Sequence, residues 1–129
     1  MSTALVCVGF LGILVFGLGF AVSMVRGRTN TVAGSSNDPA DPLHKLIRAH
    51  GNTTEYAAML ALLIFLVGSR SPSNWALWCM GIGTLSRYLI AAGLILSSTL
   101  EKPHPLRFVG ALGTYASGIA LCGALLMSL

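Results

Sequence analysis

Residues 4–25, ALVCVGFLGILVFGLGFAVSMV, contain no charged side chain, and the run ends at Arg26-Gly27-Arg28. About 20 apolar residues are the length that an α-helix needs to cross the hydrocarbon core of a bilayer. No basic segment precedes this run, and the run is longer than the apolar part of a signal peptide. We therefore interpret residues 4–25 as a retained membrane helix.

Three further apolar segments follow, and polar turns rich in Ser, Asn, Asp and Pro separate them. The Asp41-Pro42 pair is typical of a helix start, with Asp as the N-cap and Pro at the first helical position. Only 9% of the residues are charged and 54% are hydrophobic, whereas soluble domains carry about 25% charged residues. The sequence predicts an all-α, integral-membrane four-helix bundle, with residues 1–129 forming one domain. The predicted helices are about 4–25, 42–68, 75–98 and 106–128.

The basic side chains are distributed unevenly about the predicted membrane. Only Arg70 lies at the far ends of the helices. Because cytoplasmic segments carry the excess of Lys and Arg, we predict that both termini lie on the non-cytoplasmic side. No basic cluster is interleaved with aromatic residues, which argues against nucleic acid as a partner. The residues expected on the cytoplasmic side are Arg26, Arg28, Lys45, Arg48, Lys102 and Arg107.

The remaining conspicuous residues favour packing over chemistry. The three cysteines Cys7, Cys79 and Cys122 are scattered through apolar stretches, so we expect small packing residues and neither a disulfide framework nor a metal site. His104 is expected to be an interfacial loop residue. In the fourth segment a small residue recurs every fourth position, which favours close helix packing within one subunit or between subunits. This stripe consists of Gly110, Thr114, Gly118 and Cys122.

Polar residues inside the predicted spans form the main functional signal. Arg48, Asn52 and Glu55 follow an i, i+4, i+7 spacing on one face of the second helix, and Tyr56 lies beside them. Charged side chains inside a membrane cost several kcal/mol, so they usually face the protein interior and have partners. Glu55 and Arg87 each lie roughly 18 Å along their helices from the same side. We therefore predict a Glu55–Arg87 ion pair.

Such a pair leaves Arg48 and Arg107 without a counter-charge, so the predicted site has an excess of positive charge. A small anionic ligand that also carries an amine or amide suits this site. Apolar helix walls beside it suit a lipophilic co-substrate. A purely structural role remains an alternative, because polar residues in membrane helices often only hold helices together.

The segment Arg48-Ala49-His50-Gly51-Asn52-Thr53-Thr54-Glu55-Tyr56 resembles a second-helix signature, R-A-x-x-N-x-x-E followed by Y or T. It belongs to the membrane-associated proteins in eicosanoid and glutathione metabolism, the MAPEG family. Arg87 and the segment Pro105-Leu106-Arg107 resemble the family's third helix and the start of its fourth. The short chain and connections look most similar to the bacterial members.

The resemblance implies a homotrimer in the bacterial inner membrane, with glutathione as co-substrate and no metal. It implies that glutathione is bound by Arg48, Asn52, Glu55, Tyr56 and Arg87. Arg107 is then the catalytic residue, which stabilises the thiolate. The implied activity is glutathione transfer to lipophilic electrophiles, or reduction of lipid hydroperoxides, with membrane lipids and a lipophilic small molecule as further partners.

Whether the chain is an enzyme stays open, because it departs from the catalytic relatives at three positions. Gly51 stands where several carry Arg, Leu94 where they carry Tyr, and Phe108 where one carries Ser. A non-catalytic lipid-binding or scaffold protein of the same fold is the alternative. A small multidrug transporter fits poorly, because such proteins are built around a Glu in the first helix, which here has no charge.

Overall fold

The computed structural model describes residues 1–128, which form four α-helices joined by short connections. Each helix is long and apolar enough to cross a bilayer. The predicted all-helical, membrane-spanning architecture is therefore confirmed, and every helix begins and ends within four residues of its predicted position. The helices are α1 (Ser2–Thr29), α2 (Pro42–Gly68), α3 (Asn74–Leu96) and α4 (Pro105–Leu126).

Local capping chemistry sets the starts of the two helices that carry most of the polar residues. Asp41 caps α2, because its Oδ2 accepts a hydrogen bond from the His44 backbone N–H at 3.0 Å, as the sequence predicts. At α4 the His104 ring performs the same task, since its Nδ1 accepts from the Leu106 N–H at 3.3 Å. Both α2 and α4 have Pro in the first turn, where the backbone N–H has no partner within the helix.

The α2 and α3 helices form the centre of the bundle. α1 packs against both on one side, and α4 packs on the other side, mainly against α3. Within residues 1–128, α1 and α4 do not contact each other. One buried cluster includes Leu11, Ile64 and Met80, and a second includes Leu18 and Leu94. Large apolar side chains, such as those of α1 and α4, cover the outside, as expected for a protein surrounded by lipid.

The predicted small-residue stripe on α4 divides into two parts. Gly110 and Thr114 are buried, and a Cβ at Gly110 would lie 2.7 Å from the Ser86 carbonyl oxygen, so α3 and α4 approach closely there. Gly118 has open space beside it, and Cys122 is an exposed free thiol. The first part of the stripe therefore packs within the subunit. The packing role predicted for the cysteines fits the buried Cys7 and also Cys79, which packs against the core, whereas Cys122 is exposed in the single chain.

The α1–α2 and α3–α4 connections are tied together at one end of the bundle. The Leu100 N–H donates to the Pro39 carbonyl oxygen at 3.0 Å. Lys45 Nζ donates to the Ser97 carbonyl oxygen, also at 3.0 Å, and so supplies positive charge at the C-terminal end of α3. These contacts hold the helix ends that surround the candidate site.

Candidate functional site

A cavity of about 360 Å³ lies between α2, α3 and α4, next to the α3–α4 connection. Five of the six predicted site residues line it, and they come from three different helices. The sixth, Glu55, does not line it. The predicted residues in the wall are Arg48, Asn52, Tyr56, Arg87 and Arg107.

Arg87 is the most deeply buried charged group of the site, with 1% of its surface exposed. Its NH2 nitrogen donates to both oxygens of Asn52, at 2.6 Å to Oδ1 and 2.7 Å to the backbone carbonyl. Its Cζ lies 5.0 Å from the centroid of the Tyr56 ring, close enough for a cation–π attraction. Its Nε is buried and has no hydrogen-bond partner in residues 1–128.

The predicted Glu55–Arg87 ion pair is wrong within the single chain. In the described residues no nitrogen of Arg87 lies within 4.0 Å of a Glu55 oxygen, and the partner of Arg87 is the amide of Asn52. Glu55 is exposed on the outer face of α2. The buried cation is therefore held by a neutral group.

The direction of each side chain around α2 explains this result. At about 100° per residue, Glu55 lies about 60° from Asn52, on the side away from Tyr56. The buried residues Ala49 and Thr53 lie on the Tyr56 side. The polar stripe thus straddles the edge of the interior face, so Asn52 and Tyr56 point inward while Glu55 points outward. Equal depth along two helices is therefore not sufficient to predict a contact between their side chains.

Arg107 is positioned by a close approach between α4 and α3. A Cβ at Gly93 would lie 2.9 Å from both the backbone nitrogen and the Cγ of Arg107. Arg107 NH1 donates to the carbonyl oxygens of Leu100, at 3.0 Å, and Lys102, at 3.3 Å. One terminal nitrogen therefore fastens the α3–α4 connection, while the side chain also lines the cavity.

The charge of the cavity is strongly unbalanced. Arg48, Arg87 and Arg107 line it, and no aspartate or glutamate does so in the described part of the chain. Arg48 is exposed on its helix and has no hydrogen bond to residues 1–128 through its guanidinium group. In the same range no group of three or more His, Cys, Asp or Glu side chains could hold a metal ion. The arrangement is suited to binding an anion.

Two polar side chains of the cavity wall, Tyr115 and His104, are absent from the predicted site. A signal for Tyr115 exists in the sequence, because Arg107, Ala111 and Tyr115 follow at four-residue intervals and so share one face of α4. All three line the cavity. The cap position of His104 gave no such signal. Tyr88 of α3, although next to Arg87 in sequence, does not line the cavity: its hydroxyl donates to the Phe10 carbonyl oxygen of α1 at 2.8 Å.

A second, apolar cavity of about 290 Å³ adjoins the first one between α2 and α4. Its wall includes Met59, Leu63 and Ile119. Tyr56 and Tyr115 line both cavities and separate them, and their hydroxyl oxygens lie 3.3 Å apart. A charged compartment and an apolar compartment therefore meet at a pair of phenols.

Four membrane-spanning helices and a cationic cavity built from α2, α3 and α4 define a class of integral membrane proteins whose polar site lies within the helical bundle. The comparison with protein families agrees with this class of protein, because the sequence model of the MAPEG family matches residues 4–127. The chain belongs to the MAPEG family, as the second-helix signature predicts. No curated protein matches the chain.

Proposed function

We propose that this chain is a membrane-bound, glutathione-dependent transferase or peroxidase that acts on lipophilic electrophiles or lipid hydroperoxides. The observation that carries the proposal is the buried Arg87, which has no carboxylate partner among residues 1–128 and lines a cavity with two further arginines. A buried cation is costly unless it is paired. An anionic ligand supplies the missing charge, and a volume of about 360 Å³ lies in the range of small-molecule sites.

Glutathione matches the chemistry of this wall. Its two carboxylates find cations in Arg48 and Arg87, and guanidinium groups bind carboxylates with two parallel hydrogen bonds. The Asn52 Oδ1 is occupied by Arg87, so its amide NH2 remains to donate to the ligand. Arg107 favours the ionised thiolate over the thiol, because a nearby cation stabilises the anion. The thiolate then attacks the electrophile or reduces the hydroperoxide.

Glu55 supports assembly as a homotrimer. Its carboxylate lies on an exposed face of a membrane-spanning helix, together with the small residues Thr54 and Ala58. A charge facing lipid at this depth costs several kcal/mol, whereas small residues permit close approach of another helix. A neighbouring subunit that covers this face removes Glu55 from lipid and brings its carboxylate to the amine of a ligand bound between subunits.

The charge distribution supports a bacterial-type protein of the inner membrane with both termini on the non-cytoplasmic side. The cavity lies at the end of the bundle that carries Lys45, Lys102 and Arg107. Since positive residues accumulate on the cytoplasmic side, this topology opens the cavity toward the cytoplasm, which is where a soluble thiol is present.

A non-catalytic lipid-binding or scaffold protein of the same fold is the second candidate. The apolar side chains of Leu94 and Phe108 in the cavity wall favour it, because the family resemblance places hydroxyl-bearing residues there in catalytic members. The adjoining apolar cavity could hold a lipid chain without any chemistry.

The test is to titrate glutathione into the purified full-length protein and to follow the thiolate absorbance band. The expected result is saturable binding and a thiolate band that disappears in Arg107→Ala. Arg70→Ala is the matched control, because Arg70 lies at the opposite end of the bundle and donates to Ser128. Binding without a thiolate band or turnover supports the scaffold, and no binding at millimolar glutathione overturns the proposal.

A further inference from the structure

Tyr115 occupies the junction between the two cavities and has no role in the site described so far. It lies on α4, two helical turns after Arg107, and lines both the cationic and the apolar cavity. Its side chain is 52% exposed. The only side-chain hydrogen bond of its hydroxyl within the described residues is the one to Tyr56, at 3.3 Å.

The two tyrosines are not equivalent. The ring of Tyr56 is fixed beneath the guanidinium of Arg87, with 5.0 Å between Cζ and the ring centroid. The Tyr115 ring lies 5.8 Å from the Tyr56 ring, centroid to centroid, at an angle of 60°. Either hydroxyl can donate in the bond between them. When Tyr56 donates, the Tyr115 proton is free to point at a molecule in the apolar cavity.

We propose that Tyr115 is a catalytic residue that donates its phenolic proton to the departing oxygen of a lipophilic epoxide bound in the apolar cavity. This inference rests on the proposed thiol-transferase function and adds to it the residue that donates the proton. The position follows from the geometry. A thiolate in the cationic cavity and an epoxide in the apolar cavity meet at the boundary that Tyr115 forms.

The reaction balances as follows. The thiol releases its proton to water at the cavity mouth when the ligand binds, and the thiolate sulfur attacks an epoxide carbon. A C–S bond forms, the C–O bond breaks, and the oxygen takes the proton of Tyr115. The Tyr56 hydroxyl donates to the resulting phenolate, and a hydrogen bond to an ionised oxygen is stronger than one between neutral groups. Water then returns a proton to Tyr115, and the product is a thioether alcohol.

The experiment compares two electrophiles whose leaving groups differ in their need for a proton. Styrene oxide leaves an alkoxide oxygen that must be protonated, whereas chlorodinitrobenzene releases chloride, which needs no proton. The full-length protein, Tyr115→Phe and the control Tyr88→Phe are assayed with both compounds in the presence of glutathione. Tyr88 lies outside both cavities and donates to Phe10 of α1, so its substitution tests the loss of a phenol elsewhere in the bundle.

We expect Tyr115→Phe to lower kcat with styrene oxide by about 100-fold, a usual contribution of a general acid. Glutathione affinity and the rate with chlorodinitrobenzene are expected to remain unchanged, and Tyr88→Phe is expected to leave both rates unchanged. An equal loss with both electrophiles indicates a structural role and overturns the inference. So does a styrene oxide rate that Tyr115→Phe does not alter, or a wild-type protein that turns over only the aryl chloride. A wild-type protein that does not bind glutathione refutes the proposed function itself, which separates the two failures.

Discussion

The Arg87 NH2 nitrogen lies 2.6 Å from Oδ1 of Asn52 and 2.7 Å from its backbone oxygen, so a neutral residue on α2 holds the buried cation of α3. This choice of partner matters for function. A carboxylate at the same place would neutralise Arg87, whereas an amide orients the guanidinium and leaves its charge unbalanced. The orientation and the charge of the site therefore come from different residues.

Asn52→Ala is expected to destabilise the protein by about 2 kcal/mol, because it removes one of the two acceptors that satisfy a charged donor. The measurement is thermal unfolding in detergent, followed by circular dichroism. Asn74→Ala is the matched control, since Asn74 is exposed at the start of α3. Equal melting temperatures for the two variants would show that the Arg87–Asn52 contact contributes nothing to stability.

Arg48→Ala is expected to weaken glutathione binding without lowering the melting temperature. Arg48 lines the cavity, but it is exposed and donates to no residue of the described chain. A hydrogen bond to a charged group contributes about 1.5 kcal/mol or more, so the Kd should rise about tenfold. Isothermal titration gives the Kd, and Arg28→Ala, at the exposed end of α1, is the control. An unchanged Kd would remove Arg48 from the proposed ligand set.

Glu55→Gln is expected to weaken subunit association while the helical content stays the same. The carboxylate is exposed on a spanning helix, so the proposed assembly predicts that a neighbouring subunit supplies the partner that stabilises it. Loss of a charge-assisted hydrogen bond, about 1.5 kcal/mol or more, shifts the dissociation midpoint about tenfold per contact. Light scattering after size exclusion measures the mass in detergent. Glu101→Gln, in the exposed α3–α4 connection, should behave as wild type. If it alters assembly as much as Glu55→Gln does, the assigned interface is wrong.

Gly93→Ala is expected to disturb the site through Arg107. The added Cβ would lie 2.9 Å from the Arg107 backbone nitrogen, so the start of α4 must move, at a cost of about 1–3 kcal/mol. The thiolate band should weaken as well. Gly81→Ala, on the same helix with open space around it, should be neutral or stabilising by up to about 1 kcal/mol. Thermal unfolding and thiolate absorbance of the two variants decide between steric displacement and a general effect of alanine in α3.

The number and bounds of the helices could be predicted because a membrane-spanning helix is recognised from the length of an apolar run along the sequence alone. Residues 4–25 carry no charge, and a run of that length has few alternatives to a spanning helix. The capping pattern at Asp41-Pro42 predicted the first residue of α2 correctly. Capping depends on local geometry alone, so tertiary packing did not alter it.

Most of the polar residues that line the cavity could be predicted from the sequence, but the contacts between their side chains could not. Spacing along α2 identified Arg48, Asn52 and Tyr56, which line the cavity. Spacing could not tell that the interior face ends between Asn52 and Glu55, since that edge depends on how α2 packs against α1 and α3. Tyr115 was missed for a related reason, because the four-residue step from Arg107 becomes informative only when Arg107 is known to face inward.

The shared boundary formed by Tyr56 and Tyr115 has a kinetic consequence. The charged compartment lies at the bundle end beside the connections, and the apolar one lies along the helices. In the proposed reaction, the water-soluble thiol would therefore enter from the aqueous phase, and the lipophilic electrophile would enter laterally from the bilayer. For any lipophilic compound that binds in the apolar compartment, the turnover rate should saturate with the mole fraction of that compound in the lipid and not with its total concentration. Diluting the protein with additional lipid should then slow turnover even when every amount of reactant is held constant.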